Sequence, residues 1–316
     1  MNKASFGSGY HRCFKQNELS VGLIFPIEAH QNPVPDMLHQ TELAQQAEQL
    51  GYAALWSRDV PLLDPSFGDA GQIYDPWTWL GYIAAHTSRI ALATGSIILP
   101  LRPAVDLAKA AASVDQLSDG RLVMGVATGD RPVEYSVYGS DFDARDEAFR
   151  TTFAFIQQHT HRTPQWSDKH AARSGSLELL PKSVSGNIPL LVTGHSRQSL
   201  QWIAGNADGW LMYPQPAVQQ KKVLEQWQQV LSESQQSWKP FAQSLYVDLT
   251  EKPDEPPRQI HLGYRFGRNL LTEHLRALRD CGVNHVAINL RFSTRPVAEV
   301  IEEIAEFVLP EFHSSH

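Results

Sequence analysis

Short apolar runs alternate with longer amphipathic stretches along this chain, and that rhythm limits the folds open to it. Residues 21–25 form a continuous apolar run closed by Pro26. Over residues 37–50, Leu38, Leu43, Ala44, Ala47 and Leu50 make a helical stripe that Gly51 ends. The next run, 53–56, precedes a helix at Pro76, with Asp75 placed to cap it and proline at its first position. Further strand runs fall at 90–99, 122–127, 188–193, 208–213, 244–249 and 285–290. Helical stretches fall at 104–117, 143–159, 197–205, 217–232, 270–281 and 297–308. The runs are apolar throughout, as expected for parallel strands covered on both faces. A doubly wound open sheet shares this alternation. Eight strands and eight helices in strict order, with no surplus element, favour a (β/α)8 TIM barrel.

The barrel accounts for one domain over residues 1–316, since such barrels run to about 250 residues before insertions. Residues 1–19 are an N-terminal extension. Residues 160–187 are polar and mixed, and 250–268 carry Pro253, Pro256 and Pro257 in a charged setting. Both read as insertions: lid, subunit contact or tolerated loop. With 42% hydrophobic and 19% charged residues, the chain has material for a large core. A net charge of -7 argues against a nucleic-acid partner. Cys13 and Cys281 are too few and too distant for a disulfide scaffold or a cysteine zinc cluster, and they fit a reducing compartment. No apolar run is long enough to span a membrane, and the first 20 residues show no apolar leader core. The expectation is a cytoplasmic protein without a membrane partner.

In such a barrel the site lies at the C-terminal ends of the strands. The second run is followed by Arg58 and Asp59, either catalytic or a local ion pair that orders the loop. The fifth ends on Thr193 and is followed by Gly194, His195, Ser196, Arg197 and Gln198. Glycine, hydroxyls and a basic side chain where a helix begins suit an anion such as phosphate. The plainer alternative is an N-cap by Ser196. His159 and His161 lack partner carboxylates at zinc spacing, so no metal site is expected. There is no GxSxG, Walker A or GxGxxG motif. Trp56, Phe67, Tyr74, Trp77 and Trp79 are candidate pocket walls for an apolar or aromatic ligand, or else core and dimer contacts.

From the third run onward the chain resembles the bacterial luciferase-like flavin monooxygenases. The stretches are 93–104 (ATGSIILPLRPA), 114–129 (VDQLSDGRLVMGVATG), 134–141 (EYSVYGSD), 207–211 (ADGWL) and 281–285 (CGVNH). Their joint order carries the resemblance. It implies a barrel, usually homodimeric, using FMN that a separate flavin reductase supplies in reduced form. A sister branch uses a deazaflavin. The implied chemistry is oxygen activation and insertion of oxygen into a small organic substrate.

Residue by residue, the resemblance places a non-prolyl cis peptide at Gly95–Ser96 beneath the flavin. It places Thr128 and Gly129 beside the ring, Tyr213 at its flank and Arg145 on the cofactor. Thr193 and the loop Gly194, His195, Ser196, Arg197 and Gln198 would take the phosphate. Two departures stand out. Luciferase proper has a histidine base where this chain has Arg58, and arginine is no base. Its phosphate-side arginine is Thr128 here, leaving His195, Arg197 or Arg145 to supply positive charge. Deazaflavin-dependent hydride transfer, a non-catalytic flavin-binding protein and a metal-dependent barrel hydrolase are the alternatives.

Overall fold

A computed structural model describes residues 6–64, 66, 73–160 and 178–312. Phe67, His161 and most of the 160–187 insertion lie outside the described residues. Seven parallel strands run in chain order: β1 (Ser20–Ile24), β2 (Ala54–Ser57), β3 (Ala91–Ile98), β4 (Leu122–Ala127), β5 (Leu190–Thr193), β6 (Gly209–Met212) and β7 (Phe241–Leu249). A hairpin of β8 (Arg258–Ile260) and β9 (Gly263–Phe266) follows, then β10 (His285–Asn289). β10 pairs in parallel with both β1 and β7, which closes an eight-stranded barrel. The helices are α1 (Ser8–Cys13), α2 (Gln40–Gln49), α3 (Pro76–His86), α4 (Ala104–Leu117), α5 (Pro132–Tyr138), α6 (Arg145–Thr160), α7 (Leu200–Asn206), α8 (Ala217–Glu233), α9 (Arg268–Cys281) and α10 (Val297–Phe307). This is the (β/α)8 barrel that the alternation predicts. Among the described residues no helix is long and apolar enough to cross a membrane.

Local backbone geometry explains where helices start. Asp75 caps α3, accepting from the Thr78 amide at 2.9 Å, and Pro76 follows it. By contrast, α2 begins at Gln40 and not at 37, because Met37 (φ 60°) and His39 (φ 55°) are left-handed. The same cause delays α7 to Leu200: Ser196 (φ 43°) and Arg197 (φ 56°) cannot belong to a right-handed helix. Ser199 caps α7 instead, accepting from Trp202 N at 3.1 Å, so the Ser196 cap is corrected.

Alternate residues of each strand face the axis. Outward residues such as Leu23, Leu55, Leu92 and Ile288 join the large core between barrel and helices. The inward set is small: Ala54, Ala91, Ala93, Ala242 and Ala287 join Ile24, Trp56, Val123, Leu191 and Leu211. Barrel interiors are ordinarily filled by bulky branched residues. Here Trp56 and His285 fill the space, and α1 brings Tyr10, Cys13 and Phe14 up from the N-terminal end. The extension at residues 1–19 is therefore in part a floor. Burial pushes the Cys13 thiol up to about 12, which makes it an unreactive packing residue.

A directed chain of hydrogen bonds ties this floor together. Trp56 Nε1 donates to His285 Nε2 at 2.9 Å, so the neutral imidazole carries its proton on Nδ1. Nδ1 donates to Ser20 Oγ at 2.6 Å, and Ser20 Oγ donates to the Cys13 carbonyl at 2.7 Å. Docking of α1 depends on close backbone contact: Gly9 N donates to Gly120 O at 3.1 Å, and a Cβ on Gly9 would overlap the Arg121 carbonyl. Gly9→Val is expected to cost about 1–3 kcal/mol, the range for overpacking, in urea unfolding. A variant as stable as the parent would mean that α1 does not seal the barrel.

The second insertion departs from a plain loop. β7 runs beyond the barrel: Ala242–Tyr246 pairs with β10, and Tyr246–Leu249 pairs with β9. The hairpin thus extends the barrel wall above the C-terminal end. Buried Asp248 holds it, accepting from Arg265 at 2.7 Å and from Thr294 N and Oγ1 at 3.0 Å. At Gly263 a Cβ would overlap the Tyr246 carbonyl, so only glycine permits this approach.

Candidate active site

The inward phase of the strands, continued to their C-terminal ends, builds a cavity of about 600 Å³. Ile24, Trp56, Gly95 and Ala287 make its lower wall, and Thr193, Leu211 and Ser244 stand round it. Each strand's next inward position then reaches the upper wall: Arg58 from β2, Tyr213 from β6, Tyr246 from β7, Asn289 and Arg291 from β10. Asp130 enters from the turn after β4, and the hairpin tip supplies His261 and Leu262. Tyr246, His261 and Phe292 form an aromatic group, with ring centroids 5.3–6.3 Å apart.

At Gly95 the lower wall of this cavity is bare backbone. The peptide Gly95–Ser96 is cis, and the β3–β4 register shifts between Thr94 and Ile97. Near the place of a Cβ on Gly95 stands one neighbour, Trp56 Cε3 at 3.4 Å. Ser96 Oγ hydrogen-bonds Thr193 Oγ1 and joins this floor to β5. Beneath it, burial pushes the His285 imidazolium down to about 3, so the floor carries no charge.

From Thr193 the chain enters the predicted anion loop. Gly194 (φ 56°), Ser196 and Arg197 are left-handed, and Gly194 N donates to Leu211 O at 2.8 Å. Ser196 Oγ donates to Thr193 O at 2.8 Å, and Trp210 Nε1 donates to Gly194 O at 2.6 Å. Gln198 is buried: its Nε2 donates to the Ser196 and Asp146 carbonyls, and Arg150 donates to its Oε1 at 3.2 Å. His195 and Arg197 are exposed. The loop is therefore pinned from beneath, with its two basic side chains outward.

Other expected residues stand elsewhere. Asp59 is outside the cavity lining: Arg102 donates to both its oxygens, at 2.6 and 2.8 Å, and Ile98 N donates to it at 2.9 Å. The ion pair is thus Asp59–Arg102, not Asp59–Arg58, and Asp59 anchors the loop that presents Arg58. Arg145 donates to the Phe142 carbonyl and lies 3.5 Å over the Phe142 ring centre. Thr128 is buried, its carbonyl accepting from Tyr135 OH, and burial pushes the Tyr135 phenol up to about 12. Gly129 (φ 71°) turns the chain toward Asp130. Of the proposed aromatic walls Trp56 lines the cavity, whereas Tyr74, Trp77 and Trp79 do not. His159 stacks on Phe155 at 4.0 Å, and its Nδ1 bonds the Phe155 carbonyl.

Arg291 and Phe292 directly follow the eighth strand run and were candidates on that ground; Ser244, Tyr246 and Asn289 were not, though a signal for them existed. Ala242 and Ala287 are inward, so a period of two carries the inward face to Ser244 and Tyr246, and to Asn289 and Arg291. The hairpin residues His261 and Leu262 had no such signal.

The arrangement is that of a ligand site, not of a hydrolase dyad. Asp130 is the one carboxylate among the described lining residues, which also include the cations Arg58 and Arg291. A family model described as luciferase-like monooxygenase matches residues 20–278. An uncharacterised protein of Mycobacterium tuberculosis is 30% identical over 208 residues, 63% of this chain and 72% of its own length. The coenzyme F420-dependent tetrahydromethanopterin reductase of Methanopyrus kandleri superposes with a TM-score of 0.72 at 16% identity, covering 94% of this chain and 100% of that one. The oxygenating constituent of 3,6-diketocamphane monooxygenase from Pseudomonas putida, solved with FMN, superposes with a TM-score of 0.71 at 14% identity, covering 94% and 99%.

Proposed function

Because this chain belongs to the luciferase-like monooxygenase family, we propose that its cavity binds FMN and that it is a flavin-dependent monooxygenase acting on a small organic substrate. The observation that carries this is the bare floor at Gly95, joined through Ser96 to Thr193 and so to the loop of left-handed residues. A planar ring needs such a floor, where no side chain intervenes. The residues present fit the group: Gly95, Ser96, Thr193 and Tyr213 would hold the ring, and His195, Ser196 and Arg197 the phosphate. When bound, the flavin supplies the redox chemistry, and the protein supplies orientation, electrostatics and exclusion of water.

The protein's own contributions follow from its side chains. Arg58 is fixed as a cation, so it holds negative charge and moves no proton at ordinary pH. Asp59 and Arg102 set the loop on which Arg58 stands. Leu262, Phe292 and Tyr246 line the cavity on the β7–β10 side with apolar and aromatic surface. A separate reductase and a second copy of this chain are the partners this reading carries, and its place is the cytoplasm.

A fluorescence titration with FMN and with deazaflavin, each oxidised and reduced, tests the reading. Preferential binding of reduced FMN is expected, followed by reductase-dependent oxygen uptake. Arg197→Ala is expected to weaken FMN roughly tenfold, the loss of one charge-assisted contact. Preference for deazaflavin would move the chain to hydride transfer, the chemistry suggested by the F420-dependent neighbour. FMN binding without oxygen uptake would leave a flavin-binding protein. Binding of neither would overturn the reading.

A further inference from the structure

The cavity has two unlike halves. Gly95, Thr193 and Tyr213 come from β3, β5 and the end of β6, and this is the half assigned to the flavin above. The other half comes from β7, β10 and the hairpin, and it combines aromatic surface with donors. Arg291 lies there with its Nε buried and, among the described residues, without a hydrogen-bond partner. Its guanidinium carbon lies 5.2 Å from the Phe292 ring centre, within cation–π range of that ring. Asn289 is oriented by its neighbour: Arg291 N donates to Asn289 Oδ1 at 2.9 Å, so the NH2 end is the part left over. The register sets Ser244 beside Ala287, and Tyr246 beside Asn289.

The guanidinium of Arg291, the amide of Asn289 and the hydroxyl of Ser244 line that side of the cavity, with no carboxylate among its described residues. The lining carboxylate, Asp130, stands on the β4 turn. Arginine's fork matches a planar two-oxygen anion, and a buried cation atom without a partner costs stability that such an anion recovers. Tyr246, His261, Phe292 and Leu262 offer the remainder of the ligand an apolar, largely aromatic wall. We infer that the substrate is an organic carboxylate with an apolar or aromatic body, held at its carboxylate by Arg291 and Asn289. This rests on the flavin reading for the division of the cavity, and it names Arg291 as the residue that selects for charge.

The test uses the full chain and three probe pairs of matched shape: benzoate and benzamide, 3-phenylpropanoate and its amide, octanoate and octanamide. Binding is followed by calorimetry at neutral pH, with FMN affinity measured separately on the same preparations. In at least one pair the acid is expected to bind roughly 10- to 100-fold more tightly than its amide, the worth of a charge-assisted pair. Arg291→Gln is expected to abolish that preference while FMN affinity and thermal unfolding stay as in the parent. Arg291→Lys is expected to restore part of it. Equal binding of acid and amide in every pair, or binding of none, overturns the inference while a retained FMN titration leaves the flavin reading standing. If Arg291→Gln weakens FMN and not the acids, Arg291 belongs to the cofactor and the inference fails. If FMN does not bind the parent, the flavin reading fails first, whatever the acids do.

Discussion

Trp56→Ala is expected to lower stability by about 3–5 kcal/mol, the cost of truncating a large buried aromatic. Trp56 is 2% exposed and stands among inward alanines that cannot close over the hole. The variant also removes the donor that faces His285 Nε2, leaving a buried acceptor open. Trp56→Phe separates the two effects. It keeps most of the ring but not the N–H, and is expected to cost about 1–3 kcal/mol, the range for a stranded polar atom. Urea unfolding measures both. A loss below about 1 kcal/mol for Trp56→Ala would show that the interior collapses readily, contrary to the packing described. Because Trp56 also backs the Gly95 floor, flavin affinity should fall with the alanine variant and hold with phenylalanine.

Acid is expected to destabilise the protein through His285. The imidazole is fully buried, and desolvation holds its folded-state value at about 3, against about 6.5 in the unfolded chain. Below about pH 6.5 the unfolded state binds a proton that the folded state refuses. Stability from this group is thus complete above that pH and falls by about 1.4 kcal/mol per unit as the pH drops toward 3. Asp208 acts in the opposite sense. Burial raises it to about 6, above its ordinary 3.8, so the folded state takes up its proton first and gains stability as pH falls between those values. His285→Gln keeps an acceptor for Trp56 and removes the titration. The difference between parent and variant in unfolding free energy should therefore shrink as pH falls from 7 to 4. A difference independent of pH would show that His285 does not titrate as its burial requires.

The barrel was legible because its cause is local. Runs such as 122–127 and stripes such as 104–117 reproduce β4 and α4 residue for residue. Errors fall where a single backbone angle overrides a side-chain pattern, as at His39 and Arg197. Two helices and a hairpin escaped. α1 and α5 are too short for a periodic signal, and the β8–β9 hairpin arises in a proline-bearing stretch whose strands are three and four residues long.

The site was legible in one half. Arg58, Gly95, Thr193 and Tyr213 line the cavity because they lie in the last turns of strand runs or just past them, and strand ends are where a barrel presents side chains. By itself the sequence determined the strand–helix alternation and the strand ends at which function gathers. These depend on each segment's own burial pattern. Only the tertiary structure decided that Asp59 pairs with Arg102, 43 residues away, and not with adjacent Arg58. It alone set α1 beneath Trp56 and His285, and the hairpin beside Arg291. Such partners are chosen by distance in space, which no local pattern records.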